Sequence, residues 1–186
     1  MLKGIIPFAH QILKETIKEG DVVVDATSGN GNDTLFLSKL VGNSGKVFAF
    51  DIQRQAIETT KDLLTNNNCS NVQLIHDSHE KINTYIQAEH QIAGAIFNLG
   101  YLPRSDKKII TQRDSTIRAI DSLAQRLKKH AIIAIVVYYG HEGGNKEKDA
   151  VIDFTSKLDQ KQFSVLTYQF INQKNNPPFV IAVQKK

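Results

Sequence analysis

The stretch Val22-Val-Val-Asp-Ala-Thr-Ser-Gly-Asn-Gly-Asn-Asp33 decides how the rest of the chain is read. Three β-branched residues run into an acid, and the chain then breaks into a loop with glycines at 29 and 31 before helix-forming residues resume near Asp33 or Thr34. A continuous apolar run is what a strand buried on both faces looks like. Glycines between such a strand and a helix let the backbone turn tightly and bring main-chain N–H groups against a ligand with no side chain between.

Outward from that loop, short apolar and β-branched runs recur at Val22 to Asp25, Lys46 to Phe50, Val72 to Ile75, Ala93 to Phe97, Ala131 to Tyr138, Phe163 to Phe170 and Phe179 to Val183. Their continuous apolarity predicts strands covered on both faces. Segments of helical spacing lie between the early ones: Phe8 to Ile17 after Pro7, Thr34 to Val41, Gln55 to Thr65, and Ile110 to Leu127. Strands alternating with helices predict a Rossmann-like α/β fold, its sheet mostly parallel with helices on both sides. Only Ile171 to Pro178 separates the last two runs. That Asn-rich loop is too short for a helical crossover and predicts an antiparallel C-terminal hairpin.

A chain of 186 residues with 41% hydrophobic content suits one domain with its own core. No repeat, low-complexity tract or Pro/Gly/Ser-rich linker divides it, so a single domain over residues 1–186 is expected. Cys69 has no second cysteine to pair with and lies in no zinc-ligand spacing, which points to a reducing compartment and no metal. Lys3, Pro7, His10, Lys14 and Glu15 interrupt the N-terminal apolar residues, which argues against a signal peptide or a membrane span. A cytoplasmic protein without a membrane partner is expected. Residues 1–20 are read as a cover for the ligand or a docking surface for a second copy in a homodimer, and His10 is singled out only as part of that segment.

In an open α/β sheet, ligands bind beyond the carboxyl ends of the strands, at the point where the strand order reverses. Asp51 ends the second run, about twenty residues past the glycines, where a carboxylate can accept hydrogen bonds from both hydroxyls of a ribose. Asp77, Ser78 and His79 end the third, placed to meet an adenine edge or face. A nucleoside cofactor follows, and two compete. A dinucleotide site takes G-x-G-x-x-G, but here the fifth position is Asp33 and the sixth Thr34. A carboxylate beside a pyrophosphate repels it by about a kcal/mol or more in a partly dry site. S-adenosyl-L-methionine has no phosphate and carries a sulfonium and an amino group, so Asp25 and Asp33 become favourable neighbours. The loop reads as a site for that methyl donor. The competing view, that Asp25 and Asn30 only shape turns, does not account for three strand ends delivering polar groups to one crevice.

The fourth run ends in Ala-Ile-Phe-Asn-Leu-Gly-Tyr-Leu-Pro, residues 95–103. Asn98 and Tyr101 have the spacing of the N-P-P-Y element of amino-group methyltransferases, with Leu99 and Gly100 in place of the prolines. Methyl transfer from a sulfonium is an in-line displacement that needs a neutral nucleophile held roughly 3–3.5 Å from the carbon. An Asn98 carbonyl can accept an amine N–H and aim the lone pair, while Tyr101 stacks on a base. The fifth run leads through Tyr138, Tyr139 and His141 to a Gly143-Gly144 pair read as a flexible loop. His141 is a candidate to orient substrate or take up a proton.

Together Asp25-Ala-Thr-x-Gly-Asn-Gly-x-Asp33, Asp51, Asp77-Ser-His79, Phe97-Asn-Leu-Gly-Tyr-Leu-Pro103 and Tyr139-Gly-His-x-Gly-Gly144 resemble, over essentially the whole chain, the small bacterial methyltransferases long labelled rRNA methylases. Members of that family are understood as tRNA methyltransferases. The resemblance implies a seven-stranded class I methyltransferase fold. It also implies methylation of the amine of 5-aminomethyl-2-thiouridine at the wobble position, giving 5-methylaminomethyl-2-thiouridine. Residue by residue, it places Asn30, Asn32, Asp51, Gln53, Ser78 and His79 at the donor, where Thr27 and Gly29 of the same loop are also expected, bordered by Asn98. Asn98, Tyr101 and His141 fall on the substrate side, and Tyr139, on the same rim, is expected to line it.

From Arg104 to Lys129 the chain carries eight basic residues against three acidic ones, an excess larger than the +4 of the whole protein. Such a cluster is commonly solvated surface, but it begins directly after the Asn98 to Pro103 element. Arg104, Lys107 and Lys108 are therefore expected beside the reaction site, where an anticodon stem-loop of tRNA would lie. Methylation of rRNA or of a small-molecule amine is the alternative, and a non-catalytic RNA-binding protein of the same fold a third.

Overall fold

A computed structural model describes residues 1–100, 113–140 and 143–186. The seven strands are β1 (Val22–Asp25), β2 (Lys46–Asp51), β3 (Val72–His76), β4 (Ile92–Leu99), β5 (Leu127–Val137), β6 (Phe163–Tyr168) and β7 (Phe179–Lys185). The helices are α1 (Ile5–Thr16), α2 (Asn32–Val41), α3 (Arg54–Asn66), the short α4 (Ile82–Tyr85), α5 (Arg113–Arg126) and α6 (Gly144–Ser156). All seven strands join one sheet in the order β3-β2-β1-β4-β5-β7-β6. Strands β1 to β5 run parallel, and β7 is antiparallel to both β5 and β6. The C-terminal hairpin read from the short loop is therefore present, with β7 inserted between β5 and β6.

Alternation along the strands sorts side chains between two cores. Val23, Val47, Ile96 and Ala134 pack with Ala9 and Leu13 of α1 and Leu37 and Val41 of α2. Val24, Phe48, Phe97 and Ile135 face the other way, toward Ile82 of α4, Ile120 and Leu123 of α5 and Val151 of α6. Strand order reverses between β1 and β4, which hydrogen-bond directly to each other. A crevice opens at their carboxyl ends because the helices that follow β1 and β4, α2 and α5, pack on opposite faces of the sheet.

Two expectations differ from the structure. Gly143-Gly144 is the entry to a helix rather than a flexible loop: Gly143 takes φ +80 as the cap and Gly144 is the first, buried residue of α6. Val151, Phe154 and Leu158 of that segment pack into the core over α5, a spacing in the sequence that a charged run, Lys146 to Asp149, obscures. The run Phe163 to Phe170, read as covered on both faces, is an edge strand with Val165 and Leu166 exposed. Among the described residues, no helix is long and apolar enough to cross a membrane, and no group of three or more His, Cys, Asp or Glu is placed to hold a metal ion.

Helix α1 lies close to the sheet because β4 has a glycine beneath it. A Cβ on Gly94 would stand 2.7 Å from Ile17 Cδ1 and 3.3 Å from Leu13 Cδ2. Gly94→Ala is expected to destabilise the protein by about 1–3 kcal/mol through overpacking, and Ile17→Val, which shortens the clashing side chain, to recover part of that loss. Urea denaturation of the two single variants and the double variant measures it.

Candidate active site

The loop between β1 and α2 is pinned from every side. Asp25 is fully buried, and its two carboxylate oxygens accept the backbone N–H of Thr27 at 3.1 Å and the hydroxyl of Thr34 at 2.6 Å. The loop's own N–H groups reach neighbouring strands: Ala26 donates to the Ile96 carbonyl, Ser28 to the Phe50 carbonyl and Gly29 to Asp51 at 2.9 Å. Gly31 takes φ +81, and a Cβ there would lie 3.0 Å from Thr60, whose hydroxyl donates to the Gly29 carbonyl. Left-handed backbone and close approach together require glycine at that position.

Around this loop lies a cavity of about 910 Å³. Of the residues singled out in the sequence, Thr27, Gly29, Asn30, Asn32, Asp33, Asp51, Gln53, Asp77, Ser78, His79, Asn98 and Tyr139 line it. Asp25 does not. Its carboxylate lies behind the loop and shapes it, the turn-forming role that the sequence reading weighed and set aside. Tyr101, Arg104, Lys107, Lys108 and His141 lie outside the described residues.

Each lining residue has identifiable partners. Asp51 accepts one N–H on each oxygen, from Gly29 and from Gln53. Burial raises its carboxyl above the usual range against the pull of those bonds. Asp77 is held down to about 2 by Lys81, Tyr85 and the Ser78 N–H. His79 is turned inward: Nδ1 bonds the Ala26 carbonyl at 2.9 Å, the ring meets Phe97 edge-on, and burial lowers its pKa. Its ring thus forms part of the wall. Tyr139 packs edge-on against Phe179 with the Lys148 ammonium over its face, whereas Tyr138 is 40% exposed, and burial together with the charge of Asp33 raises its pKa.

Asn98 connects the two halves of the cavity. Its backbone N–H donates to the Thr27 hydroxyl at 2.7 Å and its side-chain amide donates to Asp33 at 2.6 Å. The other Asp33 oxygen lies 2.5 Å from His10 Nε2. Sequence reasoning missed Ile6, Arg118 and Asn176 on the wall. No local motif marks them; α1, α5 and the β6–β7 loop bring them in.

The chemistry of the wall can be tested against the candidate cofactors. Among the described residues it carries five carboxylates, those of Asp33, Asp51, Asp77, Glu80 and Asp114, and one guanidinium, Arg118, which is bonded to Glu80. A pyrophosphate would meet like charge here, and a sulfonium with an ammonium would not. The Asp51 carboxylate retains acceptor capacity for the hydroxyls of a ribose.

The family model described as "Putative rRNA methylase" matches residues 47–184. The chain belongs to that family. A solved "putative rRNA-methylase" from Clostridium thermocellum is 43% identical, with full coverage of both chains and a TM-score of 0.97. A "putative methyltransferase" from Streptococcus mutans, crystallised in complex with SAH, is 45% identical, again with full coverage of both chains, at a TM-score of 0.92. A curated relative, the chloroplastic "tRNA (mnm(5)s(2)U34)-methyltransferase" of Arabidopsis thaliana, is 37% identical over 96% of this chain and 68% of its own length. The protein is a class I methyltransferase, and its cofactor is S-adenosylmethionine.

Burial, with the charges of Asp33 and Asp51 added, pushes Asp25 up to about 7 from 3.8. The folded chain therefore holds this proton to higher pH than the unfolded chain does. Its contribution to stability is fully present below about pH 4 and is lost as pH rises to about 7, by at most about 1.4 kcal/mol per unit. Asp25→Asn is expected to flatten the decline in unfolding free energy between pH 4 and pH 7, leaving a smaller residue of the same sign from Asp51. Denaturant titrations of both proteins across that range measure it.

Proposed function

We propose that this chain methylates tRNA, transferring the methyl group of S-adenosylmethionine to the amine of 5-aminomethyl-2-thiouridine at position 34 and giving 5-methylaminomethyl-2-thiouridine. The observation that carries the reading is Asn98: an amide at the end of β4, on the same cavity wall as Asp51, in a chain 37% identical to a tRNA methyltransferase of that specificity. S-adenosylmethionine supplies an electrophilic methyl group when bound. In this reading Asp51 holds the ribose hydroxyls, and Thr27, Gly29, Asn30, Asn32, Gln53, Asp77 and Ser78 line the rest of the donor site. Asp33 lends negative charge to the cationic end.

The Asn98 carbonyl accepts an amine N–H and directs the nitrogen lone pair toward the methyl carbon, a positioning role rather than an acid or base role. An alkylamine is mostly protonated at neutral pH, so the site must take its neutral form. Tyr101, Tyr139 and His141 are proposed on the substrate side. Arg104, Lys107 and Lys108 are proposed to bind the phosphates of the anticodon stem-loop, joined by Arg113 of α5, whose side chain is 61% exposed. The whole chain acts as one domain in this reading, and its proposed setting is the cytoplasm. The family's name and its structural relatives favour rRNA as the second candidate.

Three results are expected. Asp51→Ala weakens S-adenosylmethionine binding by about tenfold or more, from the loss of two hydrogen bonds to a charged acceptor, measured by calorimetry. Asn98→Ala lowers turnover by about a hundredfold while cofactor affinity stays within about twofold. Mass spectrometry of nucleosides from cells lacking the protein shows unmethylated 5-aminomethyl-2-thiouridine accumulating in tRNA; a loss confined to rRNA nucleosides would replace the tRNA reading.

A further inference from the structure

The Asn98 amide is held by a carboxylate, and that fixes which way it faces. An ionised carboxylate can only accept hydrogen bonds, so the Asn98 atom lying 2.6 Å from Asp33 is the NH2 group. The amide is planar, with nitrogen and oxygen on opposite sides of its axis. Anchoring the nitrogen on Asp33 therefore turns the carbonyl oxygen away from Asp33, and among the described residues that oxygen accepts no hydrogen bond. A neutral partner at position 33 could donate as well as accept and would leave both orientations open.

Asp33 is itself held. Its second oxygen lies 2.5 Å from His10 Nε2, and its side chain is only 12% exposed. The His10 ring stacks on Phe36 of α2 with centroids 3.9 Å apart and planes 3° apart. Its neighbour Ala9 and, one turn on, Leu13 are completely buried against the sheet, so α1 has little freedom to move the imidazole. The contact spans sequence positions 10, 33 and 98 and joins α1, the first turn of α2 and the end of β4. Nothing in the packing of α1 requires a histidine at that point, since Phe36 offers the same apolar face to any flat ring.

We propose that His10 and Asp33 are positioning residues that hold the Asn98 amide with its carbonyl oxygen toward the incoming amine, which makes helix α1 part of the methyl-transfer site. The inference rests on the amine-methylating reading for its functional consequence, while the orientation itself can be read without any substrate. His10→Phe keeps a flat ring on Phe36 and removes the hydrogen bond to Asp33. His10→Gln returns a donor at similar reach.

The experiment combines two measurements. The first is the side-chain amide signal of Asn98 in ¹H–¹⁵N spectra, assigned by its absence from Asn98→Ala. Its carboxylate-bonded proton is expected downfield in the wild type, shifted in His10→Phe and restored in His10→Gln. The second is turnover with hypomodified tRNA. His10→Phe is expected to cost about tenfold in kcat, with cofactor affinity unchanged and most activity regained in His10→Gln. Introduced on the Asn98→Ala background, it should cost nothing further. An amide signal indifferent to His10→Phe, or the same loss of turnover on both backgrounds, overturns the proposal. A wild-type protein that shows the predicted spectra but methylates no tRNA removes the substrate reading and leaves the orienting chain standing.

Discussion

The buried carboxylate of Asp25 is the constraint on which the rest of the site depends. It ends β1 with no solvent around it and takes its two hydrogen bonds from Thr27 and Thr34, one on each side of the glycine loop. That closes the loop into a shape in which its N–H groups can reach the neighbouring strands and Asp51. It also sets Thr27 where its hydroxyl receives the Asn98 N–H. A single acid thereby fixes the distance between the Asp51 wall and the Asn98 wall of the cavity. Burying it has a cost, visible in a carboxyl raised to about 7, and the hydrogen bonds offset only part of it.

The electrostatics of the cavity follow from the same arrangement. Burial raises the carboxyls of Asp25 and Asp51, and at Asp25 the charges of Asp33 and Asp51 add to it. A ligand bearing positive charge offsets that negative charge, whereas a phosphate adds to it. The wall is therefore selective before any shape is considered, and methyl transfer from a sulfonium matches it. Asp33 belongs to this field and to the hydrogen-bonded chain from His10 to Asn98, so one carboxylate contributes to the charge of the wall and holds the Asn98 amide.

Most of the architecture was legible because strands covered on both faces have to be apolar throughout, and β1, β2, β4 and β7 are. Where packing is one-sided the signal weakens. Strand β6 keeps its β-branched and apolar residues although it sits at the sheet edge, and α6 hides a narrow apolar stripe among charges. Within the site, strand-end acids and close glycines stand out because few backbones tolerate them without a reason. Asp25 shows the limit of that logic, since an acid at a strand end can face the ligand or brace the loop, and the residue type is the same in both cases. Thr34, which breaks the dinucleotide pattern, is the residue that Asp25 bonds, so the departure from the motif and the brace have one cause.

By itself the sequence determined the α/β class, the parallel core with its antiparallel end, and a loop suited to a cationic nucleoside cofactor, because each is set by residues close together along the chain. Only the tertiary structure decided that His10 meets Asp33 and Asn98, that His79 turns into the wall, and that Tyr138 rather than Tyr139 is the more exposed of the pair. Those outcomes depend on how α1, α6 and the turn after β3 pack against strands far away in sequence. Side-chain direction there is set by contacts across the sheet, which no local spacing records.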